Sequence, residues 1–303
     1  SVERGVVAYK WMGNHHDHMN VADAMTPRSD VVTVELPGTR DDILEYLQER
    51  AFSSVPVVKP GEDGEQYRGL ISRDDLIERP EEDQLALLMR DVPTTTSDAT
   101  IPEVAALMVE SGTRRVPVVE DGRLEGIVTV TDVVRAIADG QADGDTEVGG
   151  LARRDVNTTY VETPLTVAER EISYAQVPYS VVLDDDGDMA GVLTEVDVIE
   201  VARVVEGEDN TGDSMAADDD DWKWESIKAV GSRYLPTRNV QIPVEPVRGF
   251  MTEDVVTVTG KRTAREAAQT MLNKDIEQIP LVSGDELVGI VRDVDLITAL
   301  TDE

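Results

Sequence analysis

The chain has 303 residues and a formal net charge of −34, with 62 acidic residues against 28 basic ones. This balance argues against sequence-independent nucleic-acid binding, because neutralising phosphates requires an excess of Lys and Arg. No cysteine is present, which excludes disulfides and thiolate metal sites, and no run of eighteen apolar residues occurs. We therefore expect a cytoplasmic protein with no membrane partner. The acidic surplus is typical of proteins that stay hydrated in concentrated salt, and we interpret it as halophilic adaptation rather than as a docking face for a basic partner.

Residues 1–20 form an N-terminal segment that contains all three histidines, His15, His16 and His18, around Asp17. Histidine and carboxylate side chains are ligands for zinc or nickel. Neighbouring residues of one loop rarely close a tetrahedral site, and no distant histidine exists to complete one. We therefore expect a mobile segment and no metal site.

One phrase occurs four times along the rest of the chain, with a glycine, apolar residues, a polar position and a closing aspartate. The copies are GLISRDDL at 69–76, GIVTVTDVVRA at 126–136, GVLTEVDV at 191–198 and GIVRDVDL at 289–296. Their spacing indicates a unit of about sixty residues, with one insertion between the third and fourth copies. The predicted repeats are 21–80, 81–140, 150–205 and 246–303.

Each unit shows the same order of predicted elements. A β-rich phrase such as DVVTV at 30–34 comes first, and a helix follows, as in IPEVAALMVES at 101–111, where apolar residues recur at helical spacing. Two short apolar strands come next, the first with a proline in VPVV at 55–58 and 116–119, and the second within the repeated phrase. The last helix begins at the aspartate. The order is β-α-β-β-α, and the fold class is α/β (α+β).

Residues 206–245 form the insertion, an acidic linker in its first half. This half is poor in apolar residues, and we interpret it as mobile. The second half, WKWESIKAVGSRYLP at 222–236, carries two of the three tryptophans. We expect a helix there, packed on the second half of the protein, and a nucleotide contact from Arg233 or Arg238 stays open.

This order, with proline in the second strand and Gly-x-x-Ser/Thr-x-x-Asp at the close, resembles the cystathionine-β-synthase (CBS) domain. The resemblance implies that two units pair by their sheets into a Bateman module, here 21–140 and 150–300, and that the two modules stack roughly as a disc. Two modules in one chain resemble the regulatory γ subunit of AMP-activated protein kinase and stand-alone archaeal CBS proteins.

The repeated aspartate has two interpretations from the residues alone. Where a strand runs into a helix, free N–H groups attract anions, Thr129 and Thr131 add hydroxyls, and Asp132 can accept two hydrogen bonds from a ribose. Alternatively, Asp132 only caps its helix, which stabilises a protein by about 0.5–2 kcal/mol.

The CBS resemblance implies the first interpretation, since in that family this aspartate binds ribose and the preceding Ser or Thr contacts ribose or phosphate. The implied site residues are Ser72, Asp75, Thr129, Thr131, Asp132, Thr194, Asp197 and Asp295. Arg292 stands in the Ser/Thr position of the fourth unit, which puts a standard site there in doubt.

Two arginines precede the strand proline of the second unit, in TRRVPVV. Arg114 and Arg115 lie where the kinase γ subunit holds phosphate-binding basic residues, although they could instead be solvated ion-pair partners. The resemblance also implies that adenine lies against the first unit, around Val32, Thr33 and Ser53. At the same position we align Ala175 and Gln176 of the third unit and Glu277 and Gln278 of the fourth. Neither pair offers a cation, so we expect the second module to bind a less charged ligand, to bind weakly or to serve structure alone.

We predict a non-catalytic sensor of AMP, ADP or ATP that needs no cofactor and acts on an unknown protein target. A homodimer is implied by family analogy alone. One alternative keeps the fold and changes the ligand to S-adenosylmethionine or another adenosine derivative. Another is a ligand-free scaffold whose aspartates only cap helices. A metal-dependent enzyme is the least supported, because the chain has no cysteine, no Walker loop and no nucleophile elbow.

Overall fold

The computed structural model describes residues 19–49, 54–62, 64–72, 75–76, 79, 82–205, 225–227 and 239–301. Over these residues the chain forms four β-α-β-β-α units paired into two modules, which confirms the predicted fold class. Several sequence predictions fall outside the described residues: the histidine segment, Ser53, Arg233 and Arg238. In the described parts, no helix is both long and apolar enough to cross a membrane.

The first unit builds its sheet from a short strand and a hairpin. A one-turn helix and a two-residue strand precede it. Its elements are α1 (Val21–Ala24), β1 (Thr26–Pro27), β2 (Val34–Glu35), α2 (Arg40–Glu49), β3 (Ser54–Gly61) and β4 (Gly64–Ser72). Strand β3 pairs in parallel with β2 and antiparallel with β4. Alternate residues of the hairpin face the core, where Val55, Val57 and Ile71 pack against Ile43 of α2.

The second unit repeats this plan, with its first strand reduced to a parallel bridge between Thr95 and Val118. Its elements are α3 (Leu85–Leu88), α4 (Ile101–Ser111), β5 (Arg115–Glu120), β6 (Arg123–Thr129) and α5 (Val130–Ala138). The N-cap of helix α4 is Thr100, whose hydroxyl and the Glu103 carboxylate form a reciprocal capping box. Its C-cap is Gly112, whose φ of 67° lies in the left-handed region that glycine adopts without strain.

The third and fourth units make up the second module. The third has α6 (Val148–Leu151), β7 (Thr158–Tyr160), α7 (Leu165–Ala175), β8 (Tyr179–Leu183), β9 (Met189–Thr194) and α8 (Glu195–Val201). The fourth has a 3₁₀ turn (Val247–Gly249), β13 (Val258–Thr259), α9 (Ala264–Lys274), β14 (Gln278–Ser283), β15 (Glu286–Arg292), α10 (Asp293–Leu296) and a second 3₁₀ turn (Ile297–Leu300).

The insertion differs from its prediction. Its described parts form a small antiparallel sheet of β10 (Arg203–Val205), β11 (Glu225–Ile227) and β12 (Asn239–Ile242), in the order β10-β12-β11. The helix predicted over 222–236 is therefore wrong at Glu225–Ile227. A strand pairing with distant residues wins over local helix propensity, since β11 pairs with β12 along its whole length.

Each unit of a module contributes its entry segment to the sheet of its partner. Thr26 pairs with Ile127, Arg90 with Leu70, Arg153 with Ile290 and Thr252 with Val192. In every case the partner residue follows the glycine of the repeated phrase. A Cβ on Gly126 would lie 2.5 Å from the carbonyl oxygen of Thr26, and the same contact occurs at Gly69, Gly191 and Gly289. The repeated glycine is thus required by a close approach of backbone.

The two modules meet through the second and fourth units. Helix α5 packs against α9 and α10, and α4 packs against the last 3₁₀ turn. One continuous apolar core includes Val134 and Ile137 of the second unit together with Ala267 and Met271 of the fourth. In contrast, the first and third units have cores of their own.

Candidate functional site

The four repeated aspartates lie at equivalent places, in the first turn of each unit's last helix. The Thr129 N–H and hydroxyl donate to Oδ2 of Asp132 at 2.9 and 2.7 Å, and the Asp132 N–H returns a bond to the hydroxyl at 3.4 Å. The pairs Ser72–Asp75 and Thr194–Asp197 make the same contacts. Capping therefore uses Oδ2, and the second carboxylate oxygen, Oδ1, decides whether the group can also bind a ligand.

Asp75 and Asp295 have this second oxygen taken. Arg90 forms an ion pair with Oδ1 of Asp75. At Asp295, Oδ1 lies 3.2 Å from Nε of Arg153 and 2.9 Å from Nη2 of Arg292. Both carboxylates are buried.

Asp132 and Asp197 are more accessible. Oδ1 of Asp132 accepts a bond of 3.0 Å from Nη1 of Arg135, an exposed side chain of the same helix. Asp197 has no ion pair within the part of the chain that the structure describes. Both are partly exposed. Of the four predicted ribose-binding carboxylates, these two have no ion pair with an arginine of the partner unit's entry segment among the described residues.

Arg115 lies beside Asp132 and joins the two units of the first module. Its Nη1 donates to Oγ of Ser54 at 3.2 Å, and its backbone faces Thr129 across the hairpin. Burial and the neighbouring charge of Arg114 lower the pKa of Arg115, while Glu277 and Asp132 act in the opposite direction. No carboxylate forms an ion pair with Arg115 within the described residues. A partly buried guanidinium without a bonded anion is suited to receive a phosphate.

Arg114 points to the other module. Its two terminal nitrogens bind the carboxylate of Asp293 at 3.1 and 2.5 Å, and Nη2 lies 3.5 Å from Oε2 of Glu277. Asp293 is buried, whereas Arg114 is half exposed. The predicted phosphate contact of Arg114 stays a prediction, and in this structure the residue links the second and fourth units.

We expect Arg114→Ala to lower the free energy of unfolding by about 1–2 kcal/mol, because Asp293 would stay buried without its charged partner. The half exposure of Arg114 keeps the loss below that of a fully buried pair. The measurement is urea denaturation in high KCl. The matched control is Arg262→Ala, since Arg262 pairs with Glu266 between two exposed side chains and should cost less than about 0.5 kcal/mol. Equal losses in both variants would contradict the prediction.

The alignment of the third unit requires a correction. Tyr179 pairs with Thr194, as Arg115 pairs with Thr129 and Gln278 with Arg292. Pro178 and Tyr179 are therefore the equivalents of Arg114 and Arg115, and the placing of Ala175 and Gln176 there was wrong. Those two residues end α7, with Gln176 in the left-handed conformation at φ 54°. Neither Pro178 nor Tyr179 carries a charge, so the third unit still offers no cation at this position.

The remaining predicted residues line the first module with less definite roles. Thr131 is exposed at the start of α5, and Val32 packs beside the core of the first unit. The Thr33 hydroxyl accepts a bond of 3.0 Å from Arg28, which also pairs with Glu65. The adenine position proposed against Val32 and Thr33 stays a prediction.

Sequence reasoning missed the linker arginines. Arg90 and Arg153 follow the one-turn helices α3 and α6, where the other two linkers have Thr26 and Thr252. The signal was in the sequence as a short phrase before each unit: MTPR, MRDV, ARRD and MTED. The second residue of that phrase is the one that pairs with the partner unit.

The comparisons with known proteins agree with this architecture. A family model described as CBS domain matches residues 21–82, 85–139, 148–203 and 247–302. Protein MJ1404 of Methanocaldococcus jannaschii is 27 % identical over 283 residues, which cover 93 % of this chain and 62 % of that protein. The chain thus spans less than two thirds of the length of this relative.

Two solved structures match almost the whole chain. A crystal structure of a conserved protein from Pyrococcus horikoshii has a TM-score of 0.66 and 27 % identity, and the match covers 93 % of this chain and 100 % of that one. The crystal structure of protein MJ1225 from Methanocaldococcus jannaschii, described as a proposed archaeal homologue of g-AMPK, has a TM-score of 0.61 and 20 % identity, with 93 % and 99 % covered. At this identity the second match shows the fold alone.

Proposed function

This chain belongs to the CBS-domain family, and from that membership we propose that it is a regulatory protein that binds an adenine nucleotide in the cleft of its first module. It performs no chemistry of its own in this proposal. AMP is the first candidate, followed by ADP and ATP. Ligand occupancy would act on another protein chain through a difference in affinity between two arrangements of the protein.

The observation that carries this proposal is the position of Arg115. It lies between Asp132 of its own unit and Ser54 of the first unit, and no carboxylate in the described residues neutralises it. A ligand with a ribose and a phosphate satisfies both groups, since the ribose hydroxyls donate to Asp132 and the phosphate pairs with Arg115. Because the chain has a net charge of −34, most of its surface repels anions, and a cation at this position attracts an anionic ligand to the cleft.

The second module supports a different ligand. Tyr179 and Gln278 occupy the positions of Ser54 and Arg115, so the cation of the first module is missing. Asp197 is still available to a ribose. We infer a less charged adenosine derivative, or weaker nucleotide binding, in that module.

The test is calorimetric titration with AMP, ATP and S-adenosylmethionine in high KCl, which screens the repulsion among the acidic residues. We expect AMP or ATP to bind, and Asp132→Ala to weaken this binding at least tenfold, because a charged hydrogen-bond acceptor contributes about 1.5–3 kcal/mol. The readout is the dissociation constant.

The matched control is Glu103→Ala, which removes the carboxylate of another capping box in the same unit without touching the cleft. It separates the cost of losing a helix cap from the loss of a ligand contact. If Asp132→Ala and wild type bind AMP or ATP with equal affinity, Asp132 only caps its helix and does not contact the ligand. If no adenosine compound binds to folded protein, the ligand-free scaffold replaces the sensor proposal.

A further inference from the structure

The linker arginines divide the four aspartates into two classes. In each module one carboxylate is paired with an arginine from the entry segment of the partner unit: Asp75 with Arg90, and Asp295 with Arg153. The other carboxylate of each module, Asp132 or Asp197, faces an entry segment with Thr26 or Thr252 at the same register position. At this one position of the entry segment, each module thus has an arginine in one unit and a threonine in the other.

The geometry explains why this position controls the carboxylate. Thr26, Arg90, Arg153 and Thr252 each pair with the residue that follows the close-contact glycine. That residue lies in the same strand as the polar residue that caps the aspartate. A long cationic side chain from the entry segment reaches the carboxylate, as Arg90 and Arg153 do, whereas the short and uncharged side chain of threonine cannot form an ion pair.

Burial agrees with this division. The side chains of Asp75 and Asp295 are 3 % and 8 % exposed, and that of Asp132 is slightly more exposed at 11 %; Asp197 is also partly exposed. A ribose at Asp75 would have to displace Arg90 from a buried carboxylate, which leaves a guanidinium without its partner. At Asp132 the competing group is Arg135 of the same helix and not an arginine from the partner unit; the arginines themselves are similarly exposed, at 54 % for Arg135, 45 % for Arg90 and 58 % for Arg153.

We propose that Arg90 and Arg153 are built-in occupants of two of the four ligand positions, which restrict nucleotide binding to one position per module, at Asp132 and Asp197. This inference rests on the proposed function, because it concerns which carboxylates bind the ligand. The guanidinium group takes the place of the ribose beside the carboxylate, as an ion-pair partner at Asp75 and as an N–H donor at Asp295. Asp295 is held twice, since Arg292 also binds it.

The experiment exchanges the residues that the protein itself uses at this position. Arg90→Thr gives the first unit the threonine found in the entry segments of the open positions, and Thr26→Arg gives Asp132 an arginine partner. Both variants are titrated calorimetrically with AMP and with adenosine in high KCl. Thermal unfolding of each variant verifies that it is folded.

We expect Arg90→Thr to bind one more equivalent of ligand than wild type, and the addition of Asp75→Ala to remove that equivalent. We expect Thr26→Arg to lose the ligand bound at Asp132 or to bind it at least tenfold more weakly. Arg68→Ala is the control, since it removes a positive charge from the same strand as Ser72 while its guanidinium contacts Gln66. It should leave both affinity and stoichiometry unchanged.

The outcomes separate this inference from the proposed function. Absence of binding in folded wild type contradicts the proposed function. Binding in wild type with the same stoichiometry in Arg90→Thr overturns this inference and leaves the sensor proposal intact. Weaker binding in Arg90→Thr also overturns it, because Arg90 would then be a ligand contact rather than an occupant. The reciprocal variant Thr26→Arg decides the matter independently if Arg90→Thr does not fold.

Discussion

Gly126→Ala is expected to destabilise the first module by about 3 kcal/mol, the upper end of the usual cost of overpacking. The added methyl group would lie 2.5 Å from the backbone oxygen of Thr26 and 2.7 Å from Sδ of Met25. The sulfur can move, but the oxygen belongs to a backbone that is paired with Ile127. The module can accept the methyl group only by separating the entry segment from β6.

The measurement for Gly126→Ala is urea denaturation, with Gly150→Ala as the matched control. A Cβ on Gly150 meets no atom within 4 Å, and its φ lies outside the left-handed region, so the same substitution should change stability by less than about 0.5 kcal/mol. If Gly126→Ala lowers the free energy of unfolding by less than about 1 kcal/mol, the entry segment can move to accommodate the methyl group at little cost. The repeated glycine would then need another explanation.

Arg115→Ala is expected to weaken AMP and ATP about a hundredfold while S-adenosylmethionine keeps its affinity. Two charge-assisted hydrogen bonds to a phosphate contribute about 3 kcal/mol together, and every 1.4 kcal/mol is a factor of ten in affinity. S-adenosylmethionine has no phosphate, so it would lose only the minor contact through Ser54. The measurement is the ratio of dissociation constants for the two ligands in each variant.

Arg68→Ala serves again as the control for total charge, because it lies in the same module at an exposed position. A parallel loss for both ligands in Arg115→Ala would indicate damage to the cleft rather than a missing phosphate contact. Unchanged AMP binding would leave Arg114 as the phosphate contact. It would have to leave Asp293 to act in that way.

The repeat architecture could be predicted from the sequence because its signals are local. The closing aspartate and the polar residue three positions before it form a capping box within one turn, and that phrase is visible in any copy. The glycine of the phrase was recognised as a constant feature, but its cause was not. The contacting carbonyl belongs to another unit, about a hundred residues away for Gly126 and about twenty for Gly69.

The missed features depend on long-range pairing. The Arg114–Asp293 ion pair joins residues 179 positions apart. In the third unit, Val177-Pro178 resembles the Val-Pro pair that lies inside the strand of the first two units. Gln176 caps the helix in the left-handed conformation, a position where glycine is the usual residue and marks the helix end in a sequence. The alignment therefore failed by three residues. The arginine partners of Asp75 and Asp295 could not be predicted, because Arg90 and Arg153 reach these carboxylates only through strand pairing with the partner unit.

The Arg114–Asp293 contact also determines which surfaces can meet at the interface between the modules. Arg114 and Glu277 hold equivalent positions in the second and fourth units, as do Val130 and Asp293. If two copies of the first module met through this face, Arg114 would meet another Arg114. Two copies of the second module would bring Glu277 of one copy against Glu277 and Asp293 of the other. Like charges oppose both self-pairings, and only the mixed pair is neutralised. These charges therefore favour contact between the first and second modules of one chain over contact between two first modules or two second modules.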